Sequence, residues 1–275
     1  AVMLSSLKRI NPTIEEDKIK EIVKTLRQDY TGTDIVDTNY KLYRQIRNHR
    51  KITIRRNGKE DFDFVKLIDF EHPENNTFTA VSQMWIQGKV YYRRPDILIF
   101  VNGMPLVFIE LKNSIVKVEE AYNKNLKDYI RDIPNLFAFN QICVLSNGLE
   151  TKLGAFNATY DYFFEWLKVD SEKEKLDREA ILAADHVKDS SVRYFVDGLL
   201  NKKRLIDYIE NFILFENQRI KIIAKNHQYL GVNNLMESVK NRKELNGKLG
   251  VFWHTQGSGK SYSMVMFTRK VKRKM

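Results

Sequence analysis

Asp96, Glu110 and Lys112 interrupt a run that is otherwise almost wholly apolar. The segment Pro95-Asp96-Ile97-Leu98-Ile99-Phe100-Val101 leads through Asn102-Gly103 into Met104-Pro105-Leu106-Val107-Phe108-Ile109-Glu110-Leu111-Lys112. Two apolar strands joined at Asn-Gly are a strong hairpin signal. Strands apolar at nearly every position belong in a sheet covered on both faces, where an unpaired charge is costly. Such charges call for partners, a metal ion or a task. Side chains alternate along a strand, so Glu110 and Lys112 share one face and Leu111 points into the opposite layer. A two-residue turn at Asn102-Gly103 would set Asp96 opposite Ile109 and part the two carboxylates. A three-residue loop brings them together, so the longer loop is expected, with Gly103 left-handed as in a type I turn plus bulge.

Two carboxylates and an ammonium at one sheet edge suit phosphodiester hydrolysis. The carboxylates of Asp96 and Glu110, with the backbone carbonyl of Leu111, form a hard oxygen site for Mg²⁺, able to polarise a phosphoryl group and acidify a water. Lys112 would orient that water or stabilise the developing charge. The bland reading is a Glu110–Lys112 or Asp96–Lys112 ion pair that merely holds the hairpin. The upstream Pro-Asp and the apolar flanks favour a site.

A second constellation lies at residues 250–261. Val251, Phe252 and Trp253 read as a short strand, followed by Thr255, Gln256, Gly257, Ser258, Gly259, Lys260 and Ser261 and then a helix. In G-x-G-K-S, glycines let backbone N–H groups face an anion, the lysine reaches the β/γ-phosphates of ATP and the serine can ligate Mg²⁺. His254 stands where the strict pattern has its first glycine. A flexible glycine turn is the competing reading, and the expected strand and helix weigh against it.

The elements that must position these groups come earlier and between. Thr13 to Glu16 forms a capping-box pattern before Ile19, Ile22, Val23 and Leu26 at helical spacing. A second helix is predicted over 39–46, with Tyr43 and Ile46 inward. The basic run Asn48-His49-Arg50-Lys51 suits a phosphate backbone or a solvated helix end equally. Strands are predicted at 52–54, 64–68 and 79–86, with turns at Asn57-Gly58 and Pro73-Glu74-Asn75-Asn76. A helix after Lys112 carries Val118, Ala121, Tyr122, Leu126, Tyr129 and Ile130, and places Asn125 and Tyr129 four apart on one face. A strand over 141–145 looks like the last of the sheet. Aromatic residues over 160–166 are expected to pack against the next unit, a charged linker or helix to follow over 170–179, and helices to span 192–215.

The chain has 275 residues, more than one typical domain, and 43% hydrophobic content with 12% aromatic residues is enough for a sizeable core. A formal net charge of +11 and a pI near 9.4 suggest a polyanionic partner, nucleic acid ahead of a membrane surface. The lone cysteine, Cys143, excludes an internal disulfide, fits a reducing, cytoplasmic setting and reads as a core residue. No run approaches the length of a membrane span. A start without methionine and an end just past the glycine-rich loop suggest a fragment.

The order P-D, hairpin, E-x-K resembles the PD-(D/E)xK nuclease superfamily. The wider string R-R-P-D-x-x-x-F-V-N-G-x-P-L-V-x-I-E-L-K-N resembles, more narrowly, the nuclease domain in the restriction-and-translocation subunit of type I restriction enzymes, as does I-D-F-x-x-P-E-N-N-x-F over 68–78 continued by Gln83. The resemblance implies that Asp96 and Glu110 bind metal and that Lys112 is catalytic. Asn125 and Tyr129 resemble a Q-x-x-x-Y element that positions DNA or the lysine, with asparagine in place of glutamine. An early-helix glutamate often joins such sites, and Glu16 and Glu21 are available. Asn226-His227-Gln228-Tyr229 resembles the Q motif of superfamily 2 helicases, which implies that Gln228 reads the adenine edge of ATP.

The expected architecture is α/β: a mixed-sheet PD-(D/E)xK nuclease core flanked by helices over 1–168, a helical connector over 169–215, and a truncated RecA-like lobe over 216–275. The residues after the loop are too few to include the acidic Mg²⁺ partner, the arginine finger or the second lobe of a motor. By the resemblance, the whole subunit is an Mg²⁺- and ATP-dependent endonuclease of double-stranded DNA, partnered by methyltransferase and specificity subunits; the absence of an apolar span leads to the expectation of no membrane partner. The alternatives are an ATPase whose hairpin charges are only structural, and a basic DNA-binding and docking module that cuts nothing.

Overall fold

In a computed structural model, which describes residues 1–275 apart from 57, 175–178, 180 and 182–189, three helices precede the sheet. They are α1 (Val2–Ile10), α2 (Glu16–Leu26) and α3 (Ile35–Asn48). Helix α2 buries Ile19, Ile22 and Leu26 as its spacing predicts. Its capping box does not form: Glu15 holds the cap position without a side-chain bond, and Glu16 turns to the ammonium groups of Lys8 and Lys20. Helix α3 begins earlier than the predicted Asn39 because the Asp34 carboxylate accepts from the Val36 and Asp37 N–H groups at 3.0 and 3.1 Å. Tyr43 and Ile46 face inward, as expected.

A separate ribbon follows, β1 (Arg50–Arg56) paired with β2 (Lys59–Val65). Arg50 and Lys51 thus open a strand. In the expected Asn57-Gly58 turn, Asn57 lies outside the described residues. The strand predicted over 64–68 sits earlier, and Leu67 and Ile68 are buried in irregular backbone.

The main sheet has six strands, β3 (Phe78–Ser82), β6 (Ile97–Val101), β7 (Met104–Leu111), β8 (Ile142–Ser146), β9 (Thr151–Gly154) and β10 (Phe164–Glu165), in the order β10-β9-β8-β7-β6-β3. A small pair, β4 (Ile86–Gln87) and β5 (Tyr92–Arg93), stands beside it. Strands β7 and β8 are parallel and the other neighbours antiparallel. The parallel pair needs a crossover, made by α4 (Val118–Glu120), a π-helical turn over Ala121–Leu126, α5 (Lys127–Asp132) and α6 (Pro134–Phe139). Strand β8 is not the last of the sheet. The two strands after it are too short to leave a period-2 signal. The strand expected over 79–86 breaks at Gln83, whose φ is 54°.

One face of the sheet packs Val107, Ile109 and Val144 against α1–α3; the other packs Leu98, Phe108, Cys143 and Leu145 under the crossover helices. Cys143 is a core residue, as expected. Helices α7 (Ser191–Leu199) and α8 (Lys202–Asn211) follow the sheet, then the hairpin β11 (Ile213–Glu216) and β12 (Ile220–Ile223), then α9 (Asn226–Lys240) and α10 (Lys260–Lys274). Trp166 is buried against Tyr208 of α8 and Tyr229 of α9, so the aromatic stretch does join the sheet domain to the helices C-terminal to it. A Cβ at Gly198 would come within 2.3 Å of the Trp166 Nε1. Lys221 of β12, buried, donates to Asn39 Oδ1, the Asn140 carbonyl and Gln141 Oε1, and burial pushes its pKa well below the ordinary value. Of the expected linker over 170–179, residues 175–178 lie outside the described residues; before them, Glu174 accepts from the N–H groups of Val169, Asp170 and Ser171.

The strand expected before the glycine-rich loop does not form. Val251 and Trp253 are 90% and 76% exposed, and among the described residues no strand pairs with this segment. An apolar strand of that kind is held by neighbours in a sheet, and among the described residues none adjoins it. Among the described residues no helix is long and apolar enough to cross a membrane.

Candidate active site at the end of the hairpin

The hairpin closes in two residues, not the expected three. Asn102 and Gly103 have φ of 51° and 81°, both positive as a type I′ turn requires, and Val101 pairs with Met104. The correction that brings the carboxylates together lies instead within β7. Phe100 pairs with Pro105 but Ile99 with Val107, leaving Leu106 as the extra residue of a β-bulge. Leu106 and Val107 therefore both face the α1–α3 core. Beyond the bulge Ile97 pairs with Ile109, which carries Asp96 opposite Glu110 on the face beneath the crossover helices.

The turn is pinned from outside the sheet. The buried Asn102 side chain donates to the Leu67 carbonyl and to Asn76 Oδ1 and accepts from the Thr77 N–H. Asn76 bonds both backbone groups of Asp69, whose carboxylate accepts from Glu71, His72 and Asn75. The string over 68–78 is thus a brace for the hairpin. At Gly103 a Cβ would crowd Met3 at 3.0 Å.

Asp96 accepts from the Leu111 N–H and from Gln83 Nε2, both at 2.8 Å, while its carbonyl accepts from the Gln83 N–H at 2.8 Å. Lys112 donates to Glu110 Oε1 at 2.9 Å. Glu110 is only 3% exposed, and its Oε2 is buried with no hydrogen-bond partner. Burial pushes the Glu110 carboxyl up to about 7; the Lys112 ammonium opposes the shift and the Asp96 charge adds to it. Leu111 faces away from the acids as expected, but at the sheet end it is partly exposed.

Tyr129 stands beside this site, and Asn125, one turn earlier in the π-helical turn, contacts its phenol. Tyr129 donates to the Arg94 carbonyl at 3.3 Å and packs edge-on against Phe108. Its phenol is raised chiefly by burial, with the Glu110 charge next and an Asn125 hydrogen bond opposing. π-turns occur often at functional sites. Arg93 holds α5 in place by donating to Asp132. Glu16 and Glu21 do not join the site; both pair with surface lysines on α1 or α2. The residue that motif reasoning left without a role is Gln83, and the string containing it was the signal available. Among the described residues no group of three or more His, Cys, Asp or Glu could hold a metal, so a cation here would rely on two carboxylates, a carbonyl and water.

At the second constellation, Gly257 and Gly259 take φ of 78° and 83° and α10 starts at Lys260. Lys260 turns back onto the carbonyls of His254 and Thr255 at 2.8 and 3.5 Å; Thr255 and Ser261 are exposed and Ser258 half-buried. Gln228 is buried, donates to the Gly259 carbonyl at 2.9 Å and accepts from the Lys225 N–H, and so touches the loop itself. It also lines a cavity of about 490 Å³ with Gly257, Ser258 and Tyr262. His254 contacts Glu172 at 3.1 Å.

A mixed α/β domain with an acid pair and a lysine at a strand end, followed by a glycine-rich loop, defines the class of the chain, and comparison with known families agrees. Residues 2–162 match the type I restriction enzyme R protein N terminus, and residues 227–275 match the SWI2/SNF2 ATPase. The chain belongs to the type I restriction enzyme R protein family. It is 36% identical over 97% of its length to the type I restriction enzyme HindI endonuclease subunit of Haemophilus influenzae. It is 31% identical, again over 97%, to the putative MjaIXP endonuclease subunit of Methanocaldococcus jannaschii. It spans 25% and 27% of those two relatives.

Proposed function

We propose that this chain carries the DNA-cutting site of a type I restriction subunit, a PD-(D/E)xK nuclease core over 1–168, joined by a connector over 169–215 to the opening of a RecA-like lobe over 216–275. One observation carries the reading: Glu110 Oε2, buried and without a partner, beside Asp96 and Lys112. A purely structural ion pair gains nothing from an orphaned carboxylate oxygen, whose desolvation goes uncompensated. A hard cation is what such an oxygen suits. Asp96, Glu110 and the Leu111 carbonyl would hold Mg²⁺, which when bound supplies Lewis acidity toward a phosphoryl group. Gln83 and the Leu111 N–H hold Asp96 in place, Lys112 brings positive charge to the phosphate as negative charge develops, and Asn125 and Tyr129 position the lysine or the DNA. Gly257, Ser258, Gly259, Lys260, Ser261 and Thr255 would cradle the phosphates of ATP, with Gln228 at the base or bracing the loop. The whole protein would cleave double-stranded DNA in the cytoplasm, translocating it with ATP, alongside methyltransferase and specificity subunits.

The test is cleavage of plasmid DNA by the complete subunit with those partners, Mg²⁺ and ATP. Asp96→Ala and Lys112→Ala each lower the cleavage rate by about 10²-fold or more, the scale for removing a group that stabilises transition-state charge, while ATP hydrolysis continues. Parental cleavage by both variants refutes the assignment.

A further inference from the structure

Helix α10 lies against α3 and leaves a cleft of about 580 Å³ walled by Arg44, Arg47, Arg269, Lys272 and Arg273 over an aromatic floor that includes Tyr43 and Phe215. The two walls are bolted together. Arg273 donates to the Arg47 carbonyl and to Asn48 Oδ1, and Arg269 to the Ile213 carbonyl and the Tyr43 hydroxyl. Five cations therefore converge with very little acid among them. Glu210 pairs with Arg273 at 3.0 Å and is shared with Lys274; among the described residues Arg44, Arg47, Arg269 and Lys272 form no ion pair. Arg269 Nε is buried with no hydrogen-bond partner. Burial, together with the charges of Arg269 and Arg273, holds Arg47 down at about 10. Like charges crowded at a half-open surface repel, and an anion of matching geometry relieves them. Guanidinium groups match phosphate oxygens in a bidentate fork.

We propose that this cleft seats the phosphodiester backbone of duplex DNA, through residues none of which belongs to the Asp96–Glu110–Lys112 site. Arg44 and Lys272 are exposed and come from different helices, so they mark two sides of the mouth along which successive phosphates can lie. The net charge of +11 supplies the long-range attraction. The proposal takes from the functional reading only that DNA is the polyanion this chain meets.

Binding of a short labelled duplex by the 275-residue chain, followed by fluorescence anisotropy in EDTA across a salt series, tests it. In Arg44→Ala/Lys272→Ala both changes fall on exposed side chains, and a melt checks that the variant is folded. Loss of two phosphate contacts makes the slope of log K against log salt shallower by about 1.8 and weakens binding by up to about 60-fold near 0.1 M salt. Asp96→Ala should bind like the parent, so failure of the cutting site leaves the cleft standing. A double variant that keeps the parental slope, with affinity within twofold, overturns the proposal, as does a parent that binds no duplex. Inorganic triphosphate supplies the other arm. If it stabilises the parent but not the double variant, while duplex binding is the same in both, the occupant is a small polyphosphate and the DNA assignment is wrong.

Discussion

Replacing Glu110 by glutamine should make the chain more stable at alkaline pH. Burial raises the Glu110 carboxyl from its ordinary 4.5 to about 7, so the folded chain holds that proton more tightly than the unfolded one. The stabilisation is fully present below 4.5 and lost as pH rises through about 7. The full swing corresponds to about 3.4 kcal/mol at about 1.36 kcal/mol per unit, and the part falling between pH 5.5 and 8.5 is about 2 kcal/mol. Glutamine does not titrate. The stability difference between Glu110→Gln and the parent should therefore move by about 2 kcal/mol in favour of the variant across that range, or roughly 3 to 4 °C in Tm for a chain of this size. Paired melts in EDTA at the two pH values measure it, since groups not coupled to Glu110 cancel in the comparison. Adding Mg²⁺ at pH 8.5 should then shrink the deficit of the parent and leave the variant unmoved. A difference independent of pH would refute the reasoning, because Glu110 would not be a buried, titrating acid.

Three further outcomes are expected. Gln83→Ala and Gln83→Gly should both cut DNA more slowly by releasing Asp96, yet the glycine variant should be the more stable by about 1 kcal/mol because the position has positive φ; parental cutting rates in both would remove Gln83 from the site. Trp166→Ala should cost about 3 to 5 kcal/mol in denaturant melts by emptying the joint between the sheet domain and α8 and α9, and a loss below about 1 kcal/mol would show that the joint is not tightly packed. Lys260→Ala should abolish the thermal stabilisation given by ATP, which Asp96→Ala should keep; an equal shift in both would deny Lys260 its phosphate contact.

The site was legible because its signals are local. Asn-Gly specifies the turn, and three charges in an apolar run demand a reason. The bulge was not legible, because Leu106 is as apolar as its neighbours and nothing in a doubly covered strand distinguishes an extra residue from a paired one. The requirement that Asp96 and Glu110 share a face is legible in the pattern of charges, while the device that meets it sits in the strand instead of the loop. The α3 cap is hard to see because Asp34 lies ahead of the apolar periodicity. The strand before the glycine-rich loop is overread because three apolar residues signal a sheet only where other strands are at hand to receive them.

The bulge at Leu106 also limits how this segment can change in length. Thirteen residues separate Asp96 from Glu110, and parity decides whether the two acids meet. A single insertion or deletion along either strand sends one of them through to the far side, whereas a matching change in the other strand restores the encounter. Drift in the length of one strand must thus be answered by an equal change in its partner.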